Sequence, residues 1–518
     1  MLPRISIVIP NWNGMEHLPD CFASLAAADY PADRQEWVVS DNGSADGSVE
    51  FLRRAYPQTR IVQNGRNIGF APGCNAGAAA ASGEFVVFLN NDTLVDPGWL
   101  HGYLDALARD PEAVCAASYM RSWDDQEVDF DGAACNLFGA GRQRPVTGWP
   151  DRPAPLAAGD PVLFACGGAM IVRRDVFLAV GGFDPSYFIY FEDVDLGWRL
   201  WVLGYRVVFA PEAKVLHKEG GTTGAARAPS HRRYLLFESN TLATIIKNYD
   251  QANLDRILPA ALLLEWKRAL MSAGDAIDPR TYRLGTPAPA GGLDVHGRAA
   301  LPPISAAHVL SLTRLGAHLP GIMAERARIQ AARRRGDAEI LPLFGRPFAP
   351  QFAGPAYADA MRRLAAALDL YPTGAVAAPS RILLVSPAAG ADRVRADALQ
   401  AALAADFLTL HSSDAAPLQA ATADAAIVVG SAWPAAAALD PAVPLLADVG
   451  AWLPDTAPAA ARAAFARHAA ALVCPTDAVA GAWRAAVPAL PALVQPPGAP
   501  PSAGLRRYCR YPLHHGLT

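Results

Sequence analysis

Residues 5–14 read ISIVIPNWNG, and this stretch introduces the pattern that decides the fold. Its first five residues form an apolar run that predicts a buried strand ended by Pro10. A polar cluster, residues 11–14, follows directly. The same order of apolar run and polar cluster recurs at residues 37–48 (WVVSDNGSADGS) and 84–93 (EFVVFLNNDT). The repetition predicts several strands whose ends share one polar region.

Helical patterns separate these strands. Residues 15–28 predict a helix, and residues 69–81 predict a second one made of small residues, with a short strand at 60–62 between them. Strand–helix alternation at this spacing favours a parallel α/β sheet. Ligands of such sheets bind beyond the carboxyl ends of the strands. We therefore expect the polar clusters to form one site, although three independent turns are the alternative.

Less regular sequence follows. A helix is predicted at 99–109 and a strand at 113–117. Residues 123–158 are polar and rich in Gly and Pro, which favours a substrate-facing loop or hairpin. Residues 163–172 predict a strand that two glycines interrupt, with a bulge as the explanation.

An acidic stretch lies at residues 188–199, which read FIYFEDVDLGWR. Apolar residues at helical spacing after it predict a helix that begins near Glu192 and Asp193. A helix start favours a carboxylate, and a neighbouring like charge raises its pKa, so this pair suits a general base. The alternative is a helix cap with a surface ion pair between Asp195 and Arg199.

Two further residues suggest a metal. Asp92 stands at a strand end, and its hard oxygen suits Mg²⁺ or Mn²⁺ that holds a diphosphate. A turn-forming Asp ahead of Thr93 is the alternative. His217 ends an apolar run before a glycine loop, so it is a candidate metal ligand or phosphate partner, or else an ordinary loop histidine.

Composition excludes several classes of protein. A chain of 518 residues predicts two or three domains. The net charge of -4, without a concentrated basic block, argues against a nucleic-acid binder. Seven scattered cysteines without a CxxC pair predict reduced thiols and a cytoplasmic protein, with neither a zinc site nor a disulfide framework. No signal peptide is visible, and the apolar run at 257–264 is too short for a membrane span.

Residues 4 to about 225 resemble the catalytic domain of family 2 inverting glycosyltransferases with the GT-A fold. The resemblance is to the bacterial branch of rhamnosyltransferases and galactofuranosyltransferases. It rests on short segments in family order, each weak alone and strong together: residues 6–14, 39–44, 67–71, 89–93, 167–169, 181–184 and 191–196.

The resemblance implies roles for individual residues. It implies that the following residues bind the nucleotide sugar: Pro10, Asn11, Trp12, Asp41, Asn67, Gly69, Asn90 and Asn91. Asp92 matches the family's metal-binding Asp-x-Asp motif, and His217 matches a histidine that completes the metal site in some relatives, so Mg²⁺ or Mn²⁺ is expected. Asp193 matches the family's base, and Glu192 should face the acceptor.

One departure concerns the metal. Asn90 replaces the first carboxylate of Asp-x-Asp, which leaves Asp92 as the motif's sole carboxylate and leaves strict metal dependence open. The implied mechanism is a single inverting displacement, in which Asp193 takes the proton of an acceptor hydroxyl and that oxygen attacks the anomeric carbon.

The domain organisation is predicted as a GT-A catalytic domain at 1–230, a helical extension at 231–347, a linker at 348–379, a Rossmann-like α/β domain at 380–500 and a tail at 501–518. The sequence of residues 380–500 predicts five strands and resembles the N-terminal half of a GT-B glycosyltransferase. We interpret it as an accessory or acceptor-binding domain. The basic run at 333–335 is either a contact for anionic lipid or a solvated helix end.

The expected substrates are a nucleoside-diphosphate sugar donor, dTDP-rhamnose first and UDP-sugars next, and a growing glycan or lipid-linked acceptor. A peripheral contact with the inner membrane face is compatible with such an acceptor. The rival hypothesis is a catalytically silent sugar-nucleotide-binding scaffold. A nucleotidyltransferase could share the strand-end clusters, but it would not need the Glu192–Asp193 pair.

Overall fold

The computed structural model describes residues 2–143, 156–218, 230–272 and 302–344, parts of 357–370, and six strands beyond residue 380. The chain divides into two compact units. Unit 1 comprises Met1–Val146 and Pro155–Ala349, and unit 2 comprises Thr147–Ala154 and Pro350–Thr518.

The described part of unit 1 begins with alternating strands and helices, as the sequence predicts. Its strands are β1 (Ile5–Asn11), β2 (Gln35–Asp41), β3 (Arg60–Gln63), β4 (Phe85–Leu89), β5 (Thr93–Val95), β6 (Ala113–Ser122), β7 (Val128–Phe130), β8 (Ala133–Cys135), β9 (Gly141–Gln143), β10 (Ala169–Arg173) and β11 (Arg206–His217). Its helices are α1 (Leu18–Ala26), α2 (Ser48–Ala55), α3 (Phe70–Ala80), α4 (Trp99–Ala108), α5 (Arg174–Ala179), α6 (Glu192–Val202), α7 (Ser230–Asn248), α8 (Gln251–Ser272), α9 (Pro303–Ala331) and α10 (Asp337–Ile340).

Nine of the described strands form one mixed sheet in the order β3-β2-β1-β4-β10-β6-β11-β5, with β7 paired to β6. Strands β1 to β4 are mutually parallel where they pair, and β6 runs parallel to β11. Strand β10 is antiparallel to both β4 and β6, so these two strands run in the same direction. The carboxyl ends of β1, β2, β4, β6 and β11 therefore meet at one edge of the sheet, where β10 begins.

The core of this sheet is apolar and tightly packed. Ile7, Val8 and Ile9 of β1 are fully buried. Helix α3 lies close to the sheet because it consists of small residues. A Cβ atom added to Gly77 would lie 2.3 Å from a methyl group of Val8, so only glycine permits this approach.

The strand predicted at 163–172 is shorter than expected. Strand β10 begins only at Ala169. Before it, the N–H of Gly167 donates to the side chain of Asp193. The segment predicted as a loop or hairpin at 123–158 contains β7, β8 and β9, and its residues 144–155 lie outside the described part.

Helices α7, α8 and α9 follow the sheet within unit 1. Within the predicted helical extension, residues 310–335 have a helical pattern, and the structure begins helix α9 earlier, at Pro303. Residues 285–303 are rich in Gly and Pro, which predicts a loop, and they lie almost wholly outside the described residues. Among the helices that the structure describes, none is both long enough and apolar enough to cross a membrane.

Two of the three arginines in the basic run at 333–335 make internal contacts. Arg333 donates to Asp337 and to the carbonyl of Asn248. Arg335 donates to the carbonyl of Tyr205. Both side chains are only 15% exposed, whereas Arg334 is exposed. The choice between a lipid contact and a solvated helix end therefore rests on Arg334 and stays a prediction.

In unit 2, six described strands form a parallel sheet in the order β13-β12-β14-β15-β16-β17. They are β12 (Arg381–Val385), β13 (Leu408–Ser412), β14 (Ala425–Val429), β15 (Leu445–Asp448), β16 (Ala469–Cys474) and β17 (Ala492–Val494). The sequence predicted five strands and missed β13, whose LTLHS sequence has weaker apolar character than the others. The predicted tail at 501–518 and most of the predicted linker lie outside the described residues.

Candidate active site

The strand ends bring three of the predicted nucleotide-binding residues into one hydrogen-bonded chain. Asn91 donates to the side chain of Asn11 at 2.8 Å, and Asn11 donates to Asp41 at 3.1 Å. The parallel register sets this contact, because Asn11 and Asp41 are paired residues of β1 and β2. All three side chains are at most 2% exposed, so they form the floor of the site.

The backbone after β2 wraps around Asp41. The N–H groups of Gly43 and Ser44 donate to Asp41 Oδ2 at 3.2 and 3.1 Å, and the Ser44 hydroxyl accepts from Asn11. Pro10 lies in β1 directly before this cluster. Trp12 projects beyond it and is 42% exposed, so its ring is available to a ligand.

Asn67 and Gly69 stand beside this floor. Asn67 accepts from the N–H of Gly69, and the carbonyl of Gly69 accepts from Asn42, the residue after Asp41. Gly69 has a φ of +99° and lies against Phe188, to which an added Cβ atom would come within 2.6 Å. A glycine is required here because both the backbone conformation and the space exclude a side chain.

Asp92 and His217 meet at the same edge of the sheet. Asp92 is 3% exposed and His217 ends β11, and the distance from His217 Nε2 to Asp92 Oδ1 is 3.6 Å. Asp129, which the sequence did not single out, lies 2.7 Å from the other ring nitrogen, Nδ1. The imidazole therefore lies between two carboxylates. Burial lowers the pKa of His217, but the two carboxylates outweigh burial and raise it to about 10.

The segment before the acidic pair has a strained backbone. Phe188, Tyr190 and Phe191 all have positive φ angles, of 55°, 71° and 72°. This conformation is rare for bulky residues, costs roughly 1–3 kcal/mol per residue and is concentrated at functional sites. The sequence could not indicate it, because none of these residues is Gly or Asn.

Asn240 of α7 stabilises this segment. Its side-chain amide lies within 3.1 Å of the carbonyl oxygens of Tyr187 and Ile189 and within 2.8 Å of that of Tyr190. Asn240 is 2% exposed and lies about 50 residues further along the chain. A residue of the predicted helical extension therefore shapes the entry to α6, and no local sequence signal identifies it.

Asp193 and Glu192 open α6 but face different surroundings. Asp193 is half-buried, and its Oδ2 accepts from the N–H of Gly167 at 3.0 Å. Glu192 is only 5% exposed, so solvent hardly reaches its carboxyl group. Glu192 thus points toward the interior, and the sequence-based role in facing an acceptor stays a prediction.

The two carboxyl groups have different affinities for protons. Burial and the neighbouring Asp193 raise the pKa of Glu192 well above its usual range. Burial also raises the pKa of Asp193, but hydrogen bonds from the backbone of Gly167 and Val194 oppose the shift. Asp193 thus receives backbone hydrogen bonds that favour its anionic form, whereas burial disfavours the anion of Glu192. Two carboxyl groups separated in this way can act as a neutral group and a base.

The glycine pair before β10 connects the acidic pair to the strand ends. Gly167 contacts Asp193, and the carbonyl of Gly168 accepts from the N–H of Asn90 at 2.8 Å. The site thus combines a polar floor, a His–carboxylate group and a half-buried carboxylate at one edge of the sheet.

The pair Asp195–Arg199 exists, but not on the surface as the alternative interpretation assumed. Arg199 Nη2 lies 3.2 Å from Asp195 Oδ2, and both side chains are at most 1% exposed. Lys247 of α7 contacts Asp195 at 2.9 Å and Asp184 at 2.6 Å. This buried network attaches α6 to α7 and fixes the helix that carries Asp193.

A second His–carboxylate group lies among the described residues of the helices. Glu238, Glu265 and His308 come together in the interior of α7, α8 and α9. Arg268 forms ion pairs with both carboxylates and already supplies the positive charge. We therefore interpret this group as a structural ion network.

Comparisons with known proteins identify the family of the chain. A profile described as "Glycosyl transferase family 2" matches residues 6–181. An N-acetylglucosaminyl-diphospho-decaprenol L-rhamnosyltransferase of Mycobacterium tuberculosis is 32% identical over 246 residues, which are 43% of this chain and 79% of the relative. The chain belongs to glycosyl transferase family 2. It is a nucleotide-sugar glycosyltransferase with the GT-A fold, as the sequence resemblance predicted.

Other similar proteins share only part of their length with the chain. The O-antigen biosynthesis protein RfbC of Myxococcus xanthus is 30% identical over 247 residues, which are 45% of this chain and 19% of that protein. A crystal structure of GalNAc-T7 with UDP, GalNAc and Mn²⁺ is 18% identical, with a TM-score of 0.41. The similarity covers 50% of this chain and 51% of GalNAc-T7.

Proposed function

We propose that unit 1 transfers a sugar from a nucleoside-diphosphate sugar to an acceptor hydroxyl with inversion at the anomeric carbon. The first candidate donor is dTDP-rhamnose, and UDP-sugars come next. The acceptor is a growing glycan or a lipid-linked sugar. The similarity to a rhamnosyltransferase named for a diphospho-decaprenol substrate supports this choice of donor and acceptor.

Asp193 carries the proposal. It is a half-buried carboxylate at the start of α6, it accepts a hydrogen bond from Gly167, and the pKa of the neighbouring Glu192 is raised well above its usual range. In the proposed reaction Asp193 takes the proton of the acceptor hydroxyl as that oxygen attacks the anomeric carbon. The bond from this carbon to the nucleoside diphosphate breaks on the opposite face, which inverts the configuration.

Asn11, Asp41 and Asn91 are proposed to form the floor beneath the nucleotide. Trp12 is exposed enough to cover a flat base or sugar. Asn67 and Gly69 are proposed to bind the nucleotide sugar between this floor and the acidic segment. The close approach of Gly69 to Phe188 supports this proposal.

Asp92 and His217 fit a divalent cation. One hard carboxylate oxygen and one imidazole nitrogen lie 3.6 Å apart, close enough to ligate one ion at the usual ligand distance of about 2 Å. Such an ion, when bound, supplies positive charge that stabilises a departing diphosphate. Asn90 contributes no carboxylate, so the dependence of turnover on the metal is tested with and without a chelator.

The test is the release of nucleoside diphosphate from a panel of dTDP- and UDP-sugars, with and without a chelator. NMR of the sugar first released should show the anomer opposite to that of the donor. Asp193→Asn tests the base in the same assay. Asp175→Asn is its matched control, because Asp175 is an exposed carboxylate that pairs with Arg173. Retention of configuration would contradict the proposal, and a folded protein that neither binds nor cleaves any donor would favour the scaffold hypothesis.

A further inference from the structure

Asp129 occupies an unusual position in the sheet. Met120 of β6 pairs with Phe130 of β7, whereas the next residue, Arg121, pairs with Val128. Asp129 is therefore an extra residue between two pairs, which is the definition of a β-bulge. Bulges redirect a side chain and are frequent beside active sites. Here the redirected side chain contacts His217.

The two carboxylates contact opposite nitrogens of the His217 ring. Asp129 Oδ2 lies 2.7 Å from Nδ1, and Asp92 Oδ1 lies 3.6 Å from Nε2. The side chains of Asp129 and His217 are 7% and 16% exposed, so water competes little for this contact. Nε2, the nitrogen that would ligate an ion together with Asp92, is the ring nitrogen that does not contact Asp129.

We infer that Asp129 is a positioning residue for the cation site, which rests on the metal role proposed above for Asp92 and His217. Its carboxylate accepts the Nδ1–H of His217, which holds the ring in place with Nε2 directed toward Asp92. A metal ion bound there would take the place of the Nε2 proton. A histidine that ligates a metal commonly donates its other N–H to a carboxylate in this way. The carboxylate fixes the tautomer and increases the basicity of the ligating nitrogen.

The inference is tested by measuring Mn²⁺ binding to the full chain, alone and with UDP or dTDP, from the loss of the free Mn²⁺ signal in electron paramagnetic resonance. Asp129→Ala should weaken binding about 10–100-fold, the usual cost of losing such a partner. Asp129→Asn, which keeps an oxygen acceptor, should weaken it less. Asp124→Asn is the control, because Asp124 lies in the same hairpin and bonds to Ser122 rather than to His217.

A second measurement separates positioning from general stability. The pulsed spectrum of bound Mn²⁺ should contain a coupling to imidazole nitrogen in the wild type and in Asp124→Asn. This coupling should be lost or altered in Asp129→Ala at saturating Mn²⁺, while thermal unfolding shows that the variant is folded. The coupling is assigned to the imidazole of His217 if it is lost in His217→Ala.

The outcomes distinguish this inference from the proposed function. If the wild type binds Mn²⁺, His217→Ala weakens binding and folded Asp129→Ala binds like the wild type, the positioning role of Asp129 is overturned while the metal site stands. If neither nucleotide allows the wild type to bind Mn²⁺, the proposed metal role fails and the role of Asp129 fails with it.

Discussion

The floor of the site and the acidic segment are built in different ways. The floor, Asn11, Asp41 and Asn91, lies at the ends of adjacent strands, and backbone pairing sets its geometry. The acidic segment has residues with positive φ before Asp193, and Asn240 of a distant helix holds its carbonyl oxygens. The first region follows from local sequence, whereas the second depends on a contact across about 50 residues.

This difference suggests a division of labour. A floor that the sheet makes rigid suits the binding of the donor, because its polar atoms are oriented before the ligand arrives. A strained segment held from outside suits the placement of a reactive group, because small shifts there move Asp193. Changes to the floor should therefore alter donor binding, and changes to the acidic segment should alter turnover.

The largest effect is expected from Asp193→Asn. The change keeps the shape of the side chain but removes the base, so kcat should fall by at least about 100-fold, the usual scale for positioned proton transfer. Affinity for the donor, measured by calorimetry with the nucleoside diphosphate, should stay close to that of the wild type. Turnover near the wild-type rate would remove Asp193 from the role of base.

The pH dependence of turnover should show the raised pKa of Asp193. A base works only without its proton, so its activity is present above its pKa and is lost as the pH falls through it. Because burial raises this pKa, the loss should begin at a higher pH than the usual range of an aspartate and reach about tenfold per pH unit. The measurement is kcat/KM between pH 4 and pH 8, and a profile that stays flat to pH 4 would contradict it.

Asn240→Ala tests the distant support of the acidic segment. The change removes the side-chain amide that donates to the carbonyl oxygens of Tyr187, Ile189 and Tyr190, so the strained backbone can relax. We expect kcat to fall on the order of tenfold, which corresponds to about 1.4 kcal/mol of activation free energy. Binding of the nucleoside diphosphate should change little.

The control for Asn240→Ala is Thr241→Val on the same helix. The Thr241 hydroxyl donates to the carbonyl of Phe237, within the helix itself, and the side chain is equally buried. This variant should lose stability in thermal unfolding without the fall in kcat. Equal losses of kcat in both variants would mean that Asn240 acts only through the stability of α7.

The strand-end clusters could be predicted because each one follows its strand directly in the sequence. An apolar run followed by polar residues places Asn11 and Asp41 at the carboxyl ends of parallel strands, and such ends necessarily meet at one edge. The start of α6 was predictable for a similar reason, since apolar residues recur at helical spacing after Glu192.

Asp129 and Asn240 could not be predicted in this way. Asp129 lies in a strand of three residues whose bulge depends on pairing with β6, and a strand this short has no detectable period. Asn240 looks like any polar residue of a helix until the fold brings it to the carbonyls before α6. The burial of Asp195 and Arg199 was hidden for the same reason, because Lys247 comes from α7.

The smallest effect is expected from Asn91→Ala, which tests the floor. The change removes the donor to Asn11 and leaves Asp41 in place, so the affinity for a nucleoside diphosphate should fall about fivefold, the weight of roughly one hydrogen bond of about 1 kcal/mol. Asn253→Ala is the control, because it removes a comparable hydrogen bond, to Asp337, in α8.

Because the floor binds the donor without placing the base, kcat of Asn91→Ala at saturating donor should stay near the wild-type value. A fall in kcat as large as that of Asn240→Ala would mean that the floor and the acidic segment act as one unit, and the division between binding and turnover would fail.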